Sequence, residues 1–406
     1  MEFAHTLLRL AVILAAAKLA AELTERVSQP AVLGELLAGL VLGDSLLRLV
    51  DPHNDILHTL AELGAVLLLF EIGLESDITA LLRVGWRSLW VAMIGVVIPA
   101  VLGFGVSLLL RQPVMAAAFI GATLTATSVG ITARVLHDLG ILRWAESQIV
   151  LGAAVADDVM GLLILAVFSG LAQGETMSVL QVGKTFVLAL VFLAGALTAG
   201  LRASHIFLRV AEQMRARAAL VTAALVFCFL LAALAQLVGL APIVGAFSAG
   251  LVLARTEHRV RITERASAIA DMLVPLFFVV MGAQMNLRAI HLSTPAGRAV
   301  IGLAALLIVA AVAGKLASGL AVWGTRMRPW LVGVGMIPRG EVGLIFATIG
   351  LTQHVFDIPL YTAVLILVMV TTLITPPWLR ALARRYGARP HETPHAKMRG
   401  TMESIT

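Results

Sequence analysis

Two adjacent aspartates interrupt an apolar stretch of the sequence. Asp157 and Asp158 lie within LGAAVADDVMGL (residues 151–162), and the surrounding residues 150–168 are otherwise almost entirely apolar. An Asp at the centre of a bilayer-spanning helix costs about 2.5 to 3.5 kcal/mol on insertion scales. Helix packing does not require two such residues, so the cost of burying both indicates a function. Because neighbouring helix residues point about 100° apart, the two carboxylates are expected to have different roles.

One lysine is the natural partner for these acids. Lys315 is the single charge in LIVAAVAGKLASGLAV (residues 307–322) and is far from both ends of the stretch. Since it is too deep to reach the interface readily, we expect it to form an ion pair with one of the two aspartates. The alternative for Lys315 is a purely structural bridge. One bridge would still leave one carboxylate over.

Two carboxylates and an amine in apolar surroundings suit the exchange of protons for a small cation. Burial favours the neutral acid and a nearby ammonium favours the carboxylate, so protonation can change near working pH. Asp158, the hydroxyls of Thr127 and Ser128, exposed carbonyls and water would supply the oxygen ligands that a hard cation takes. Sodium and protons would then compete for one site. The sequence offers no nucleophile or metal-ligand constellation typical of an enzyme.

The composition predicts that these residues lie in a polytopic membrane protein. The chain of 406 residues is 60% hydrophobic and 13% charged, whereas soluble domains are about 25% charged. Since a spanning helix needs about 20 mostly apolar residues, we predict an all-α fold of thirteen transmembrane helices. The predicted segments are residues 7–23, 31–50, 60–74, 84–110, 113–136, 147–172, 180–201, 218–238, 242–254, 269–284, 299–323, 331–352 and 358–379.

The distribution of basic residues predicts the orientation. Arginines cluster in alternate connections, such as 202–217 and 255–265, and in the tail 381–406. By the positive-inside rule, the N-terminus is outside and the C-terminus is in the cytoplasm of a cytoplasmic (inner) membrane. The net charge of +6 is therefore interpreted as an orientation signal with anionic lipid as a secondary partner, and not as nucleic-acid binding. Because Glu2 and Lys18 do not suit a signal peptide, the first helix is expected to be retained.

The two halves of the chain resemble each other at a nearly constant spacing. Gly34 with AGLVL (38–42) recurs as Gly245 with AGLVL (249–253), and LLLFEIG (67–73) resembles LFFVVMG (276–282). We predict a transmembrane domain over 1–380 that contains two repeats, about 29–172 and 240–380, joined by a linker helix at about 180–201. Equivalent helices of the two repeats are seven helices apart, and an odd separation reverses the direction of the chain through the membrane. The repeats are therefore predicted to have inverted topology, as in many secondary transporters.

Two matching segments of these repeats are expected to unwind. TLTATSVGITAR (123–134) is a poor helix core that includes Gly130, and MIPRGEVG (336–343) contains Pro338 and Gly340. Unwound backbone at membrane depth is tolerated where it lines a cavity or an ion site. The alternative is a pair of structural kinks. Arg339 and Glu341 flank Gly340 and are expected to compensate each other or cap the half-helices.

Glu71, in the third predicted segment, is expected to be less important. We expect it to pair with Arg83 or to be solvated at the membrane interface. The alternative is that it lines the cytoplasmic funnel.

At these positions the sequence resembles bacterial sodium/proton antiporters of the monovalent cation:proton antiporter-2 family, of the NapA type. The resemblance rests on QPAVLGELLAGLVLG (29–43), ATSVGITARVL (126–136), LGAAVADDV (151–159), GLAPIVGAF (239–247) and PRGEVGLI (338–345). It implies an NhaA-like antiporter fold with crossed discontinuous helices, a homodimer, and elevator-like alternating access. It implies no cofactor besides the transported Na⁺ or Li⁺ and H⁺.

The resemblance also implies residue roles. Asp158 resembles the carboxylate that binds the ion or proton, Asp157 the one that pairs with the lysine, and Lys315 that lysine. The remaining implied site residues are Thr127 and Ser128 in one broken helix, and Pro338, Arg339, Gly340 and Glu341 in the other, with Gly130 as a further supporting residue. The paired aspartates are the pattern of electrogenic members that exchange two protons per sodium. The alternatives are K⁺/H⁺ exchange in the same fold and, from a different class, sodium-coupled symport of an organic anion.

Overall fold

The computed structural model describes residues 2–43, 45–52, 54–76, 78–172, 179–214, 218–285 and 295–387. Within these ranges the chain is all-helical and contains no strand. The helices are α1 Glu2–Arg26, α2 Ala31–Leu42, α3 Asp55–Glu75, α4 Ile78–Leu109, α5 Val114–Thr123, α6 Val129–Asp138, α7 Ala145–Ala172, α8 Val179–Gln213, α9 Ala219–Leu237, α10 Pro242–Leu253, α11 Arg259–Ala283, α12 Pro295–Ala317, α13 Pro329–Gly335, α14 Glu341–Thr352 and α15 Ile358–Arg385. A short 3₁₀ helix, Ser318–Val322, continues α12.

Each predicted segment contains a helix, but several boundaries differ. The predicted linker helix at 180–201 is longer in the structure, because α8 continues to Gln213. The second segment is shorter, because α2 ends at Leu42 and not near Val50. Seven helical spans in the described part of the chain are long and apolar enough to cross a bilayer, judged by length and composition. The chain is thus a multi-pass membrane protein, and the count of thirteen crossings stays a prediction. The tail beyond residue 387 lies outside the described residues.

The helices pack as two bundles. The first, here called the frame bundle, contains α1, α2, α3, α9, α10 and α11, with α3 packed closely against both α10 and α11. The second, the site bundle, contains α4 to α7 and α12 to α15, with α4 packed against α5, α7 and α12. Helix α8 packs on α9 and α10 and touches α7, so it connects the two. The bundles meet directly where α6 lies against α2 and α3 and where α15 lies against α2.

Glycines allow helices of the frame bundle to touch backbone to backbone. A Cβ atom at Gly34 of α2 would lie 2.3 Å from the carbonyl oxygen of Ala20 in α1. A Cβ atom at Gly245 of α10 would lie 2.2 Å from the carbonyl oxygen of Leu231 in α9. Since these distances are far below van der Waals contact, neither position has room for a side chain.

The same contact recurs at one spacing in both halves. Gly34 and Gly245 are 211 positions apart, and so are their partners Ala20 and Leu231. The sequence comparison begins the repeats at residues 29 and 240. The two glycine contacts involve α1 and α9, the helices that precede these predicted repeats.

Candidate ion-binding site

Two interrupted helices cross at the centre of the site bundle. Residues 124–128 separate α5 from α6, and residues 336–340 separate α13 from α14, where the sequence predicted unwinding. The Ser128 amide donates to the Pro338 carbonyl at 2.7 Å, and the Thr132 hydroxyl donates to the Gly335 carbonyl at 2.6 Å. Each interruption thus forms hydrogen bonds to backbone groups of the other, which unwound chain in apolar surroundings requires.

The residue types explain the second interruption. Pro338 has no amide hydrogen, and Gly340 adopts φ −132° and ψ −146°, so the chain leaves helical geometry before α14 begins. A Cβ atom at Gly340 would lie 2.7 Å from the Ser128 Oγ atom, so the crossing also requires glycine for space. In the first interruption, Gly130 faces the Phe277 ring of α11 with more room.

Lys315 reaches the first interruption and one of the two aspartates. Its Nζ atom lies 3.4 Å from Oδ2 of Asp157, and both side chains are excluded from solvent. The ammonium also donates to the Thr125 carbonyl. Lys315 is therefore held between α7 and the unwound end of α5. The residue pattern alone left the choice of aspartate open, and the family resemblance implied Asp157, which is the carboxylate that Lys315 meets.

The second aspartate and two hydroxyls complete the group. Asp158 is 9% exposed, more than Asp157 at 2%, so the two adjacent carboxylates have different surroundings as their helical spacing predicted. Thr127 and Ser128 are buried in the first interruption. The Thr127 hydroxyl lies 3.4 Å from the Met336 carbonyl of the second interruption. Carboxylate, hydroxyl and carbonyl oxygens are thus concentrated where the broken helices cross.

Arg339 is the second buried cation of this region. Its side chain is fully buried and donates to the Ala126 carbonyl, and its own carbonyl accepts from the Thr372 hydroxyl. Its Nε and Nη2 atoms have no hydrogen-bond partner among the described residues. Arg339 thus links the two interruptions, and its predicted role as a cap of a half-helix stays a prediction. Glu341 begins α14, and its side chain lies outside what the structure describes.

The charges of this region balance. Asp157 and Asp158 supply two negative charges and Lys315 and Arg339 two positive ones, all in buried side chains. Binding a further cation without expelling another positive charge would leave a net charge in a low-dielectric site, which is unfavourable.

Glu71 is not where the sequence placed it. The expected pairing with Arg83 or solvation is wrong, because Glu71 is 6% exposed and its carboxylate accepts a hydrogen bond from the Ser267 hydroxyl of α11. The cause is tertiary packing, since α11 covers this face of α3. Sequence spacing cannot reveal a partner that lies 196 positions away.

Sequence reasoning also missed a charged cluster at the end of α6. His137 Nε2 lies 3.4 Å from Glu75 Oε1, and Arg134 pairs with Asp138 at 3.1 Å. The i,i+4 spacing of Arg134 and Asp138 was a detectable signal. The pairing of His137 with Glu75 was not, because it joins different helices.

A multi-pass helical fold with two interrupted helices that cross among buried charges is the architecture of a secondary transporter. The sodium/hydrogen exchanger (transmembrane) family profile matches residues 11–385, which is nearly all of the described chain. The chain belongs to this family, whose members are transporters and not enzymes.

Two characterised relatives cover almost the whole chain. It is 36% identical to the high-affinity Na⁺/H⁺ antiporter NhaS3 of Synechocystis, with 96% of this chain and 92% of that protein aligned. It is 34% identical to the Na⁺/H⁺-K⁺ antiporter GerN of Bacillus cereus, with 92% and 95% aligned. In fold, it is similar to the sodium proton antiporter MjNhaP1 of Methanocaldococcus jannaschii, with a TM-score of 0.66, 18% identity, and 94% and 98% of the chains covered. The prediction of a sodium/proton antiporter family is confirmed.

Proposed function

We propose that the chain is an electrogenic antiporter that exchanges cytoplasmic Na⁺ or Li⁺ for external H⁺, for sodium and pH homeostasis. The observation that carries the proposal is the buried Lys315–Asp157 pair beside Asp158, where two broken helices cross. A charge-balanced group of this kind accepts a cation when protons leave. The names of NhaS3 and GerN support the choice of sodium.

Each site residue has a proposed role. Asp158, the more exposed carboxylate, binds the cation or a proton in turn. Asp157 holds Lys315 in the proton-loaded state and becomes available to the cation when the pair loosens. Thr127 and Ser128, together with carbonyls of the interruptions, supply further oxygen ligands to the transported ion. Two protons returned for each sodium exported would move one net charge per cycle.

Alternating access is proposed to be elevator-like. The site bundle carries every proposed ion ligand, whereas the frame bundle is tied together by backbone contacts at its glycines. Displacement of the site bundle along the frame bundle would expose Asp158 first to one side and then to the other. We further propose thirteen crossings with the N-terminus outside, a homodimer in the cytoplasmic membrane, and contact of the basic tail with anionic lipid.

The recurring glycine contacts support the proposed inverted repeats. They enlarge each unit by one helix, to α1–α7 and α9–α15, with α8 as the connection between them. Both units then contain one interrupted helix, α5/α6 and α13/α14, at corresponding places.

K⁺/H⁺ exchange is the second candidate function. The name of GerN includes K⁺, and GerN aligns with nearly the whole chain. The site residues alone do not distinguish the two ions, since both take oxygen ligands.

Reconstituted protein tests the proposal directly. Proteoliposomes with an imposed pH gradient are challenged with NaCl, LiCl or KCl while internal pH is recorded, and the transport current is measured on a solid-supported membrane. Wild type is expected to collapse the gradient with Na⁺ and Li⁺ and to give a current, and Asp158→Asn is expected to give neither. Asp271→Asn, which removes an exposed carboxylate of α11, is the matched control and should transport normally. Full current in Asp158→Asn would overturn the site, and a response to K⁺ alone would replace sodium by potassium.

A further inference from the structure

A second group of potential metal ligands lies away from the crossed helices. Glu71 and Glu75 of α3 and His137 of α6 each offer one ligand atom, and these atoms all lie within 4.8 Å of one another. Glu71 is buried, whereas Glu75 and His137 are partly exposed. None of the three takes part in the proposed ion exchange.

The spacing suits a small divalent metal ion. A tetrahedral ion bound at about 2.1 Å separates its ligand atoms by about 3.4 Å. The distance between His137 Nε2 and Glu75 Oε1 is 3.4 Å. A carboxylate of Glu71 within 4.8 Å of both needs only a small side-chain adjustment to become the third ligand, and water would be the fourth.

The other side of the imidazole is arranged as in a metal site. His137 Nδ1 lies 3.4 Å from Asp138 Oδ1, and Asp138 is in turn held by Arg134 at 3.1 Å. A histidine ligand of a metal usually donates its second N–H to a carboxylate, which fixes the ring and makes the ligating nitrogen more basic. Glu71 is fixed similarly by the Ser267 hydroxyl.

Two of the three ligands are accessible from a cavity. Glu75 and His137 line an open cavity of about 550 Å³ together with Arg143, Arg259, Thr263 and Glu264. The two arginines oppose the approach of a cation, and Glu264 offsets part of that repulsion. Since imidazole is a ligand that Zn²⁺, Ni²⁺ and Co²⁺ accept and that Mg²⁺ and Ca²⁺ rarely use, the chemistry selects a transition metal.

We propose that Glu71, Glu75 and His137 form a binding site for a divalent transition-metal ion of the Zn²⁺ type, shared between the frame and site bundles. Glu71 and Glu75 belong to the frame bundle and His137 to the site bundle. A bound metal therefore fastens α6 to α3. If the bundles slide as in the proposed elevator mechanism, on which this step rests, a metal that fastens α6 to α3 blocks exchange.

Binding is tested first, without transport. Tag-free protein in detergent is titrated with Co²⁺, and the visible absorption of low-symmetry Co²⁺ is recorded, followed by displacement with Zn²⁺. Wild type is expected to bind one Co²⁺ per chain and to release it to Zn²⁺. The His137→Gln variant is expected to lose the absorption, and Asp138→Asn to bind about 10- to 100-fold more weakly.

Matched variants guard against unfolding and unspecific binding. His258 pairs with a single carboxylate among the described residues, that of Glu212 at 2.6 Å, and is not a ligand of the proposed site. The His258→Gln variant should therefore bind Co²⁺ as wild type does. Glu71→Gln tests the buried ligand and should weaken binding while the protein remains monodisperse. Absence of wild-type binding, or an unchanged spectrum in His137→Gln, would overturn the site.

Transport then tests the consequence. Micromolar Zn²⁺ is expected to inhibit exchange by wild type and His258→Gln but not by His137→Gln. Metal binding is measured in detergent and does not require transport. The metal site can therefore be confirmed or rejected independently of the proposed Na⁺/H⁺ exchange.

Discussion

The Nζ atom of Lys315 lies 3.4 Å from Oδ2 of Asp157, in a pocket from which solvent is excluded. Removing one member of a buried ion pair leaves the other charge without compensation, at a cost of about 3 to 5 kcal/mol. Lys315→Gln is therefore expected to lower the melting temperature in detergent markedly. The double variant Lys315→Gln/Asp157→Asn should recover much of the loss, since it removes both charges.

The exposed Lys184 provides the control for this experiment. Lys184→Gln is expected to melt like wild type, because its side chain is exposed. Equal melting temperatures for Lys315→Gln and wild type would mean that the pair contributes nothing to stability.

The Thr127 hydroxyl is expected to matter for cation affinity. Thr127→Val removes a proposed oxygen ligand while keeping the shape, and a hydrogen bond or ligand to a charged group contributes about 1.5 to 3 kcal/mol. The half-saturating Na⁺ concentration should rise about tenfold or more. Thr123→Val is the matched control, because the Thr123 hydroxyl only donates back to the Phe119 carbonyl within α5. A Thr127 variant with wild-type sodium dependence would remove this residue from the site.

Much of this arrangement was predictable from residue types. Because charges are costly in apolar segments, the sequence predicted that Lys315 pairs with one of the two aspartates, Asp157 and Asp158. Pro338 and Gly340 predicted the position of one helix interruption. The partner of each charge was less accessible to sequence reasoning. Arg339 was expected to compensate Glu341 or to cap a half-helix, and sequence spacing did not indicate that it would reach the Ala126 carbonyl in the other broken helix, 213 positions away.

The remaining differences have the same physical origin. Glu71 lies near the end of its helix, where solvation is the usual outcome, yet α11 covers it and Ser267 satisfies it. Helix lengths were also misjudged, as for α8, because a polar helix end can continue beyond the apolar span. Local patterns identify which residues are unusual, and only the packing shows which neighbours they meet.

Protons are expected to compete with sodium at Asp158. If one proton and one cation share the carboxylate, the half-saturating Na⁺ concentration rises as pH falls, by up to about tenfold per pH unit in the proton-loaded range. The maximal rate at saturating Na⁺ should change much less. Initial rates in proteoliposomes at a series of pH values and Na⁺ concentrations measure both quantities. A fall in maximal rate with constant half-saturation would show that protons act elsewhere.

Space at Gly340 is expected to limit substitution. Gly340→Ala places a Cβ atom 2.7 Å from Ser128 Oγ, so the crossing must shift and overpacking costs about 1 to 3 kcal/mol. Exchange activity should fall at least tenfold. Gly343→Ala is the matched control, because its Cβ would meet Val368 at an ordinary 3.5 Å. Similar activity of both variants would show that the crossing tolerates displacement.

On the proposed elevator mechanism, the glycine contacts described for the frame bundle would also determine where the two bundles slide. Helices that interlock through bare main chain have no rotatable groups with which to absorb a displacement, so their register is fixed. The boundary with the site bundle is different, because there the side chains of Phe277 and Met281 lie against Gly130 and Gly340. Sliding is therefore expected along the boundary between the two bundles. A bulky residue introduced between the glycine-packed helices would distort the frame bundle and impair sliding while leaving the ion ligands in place.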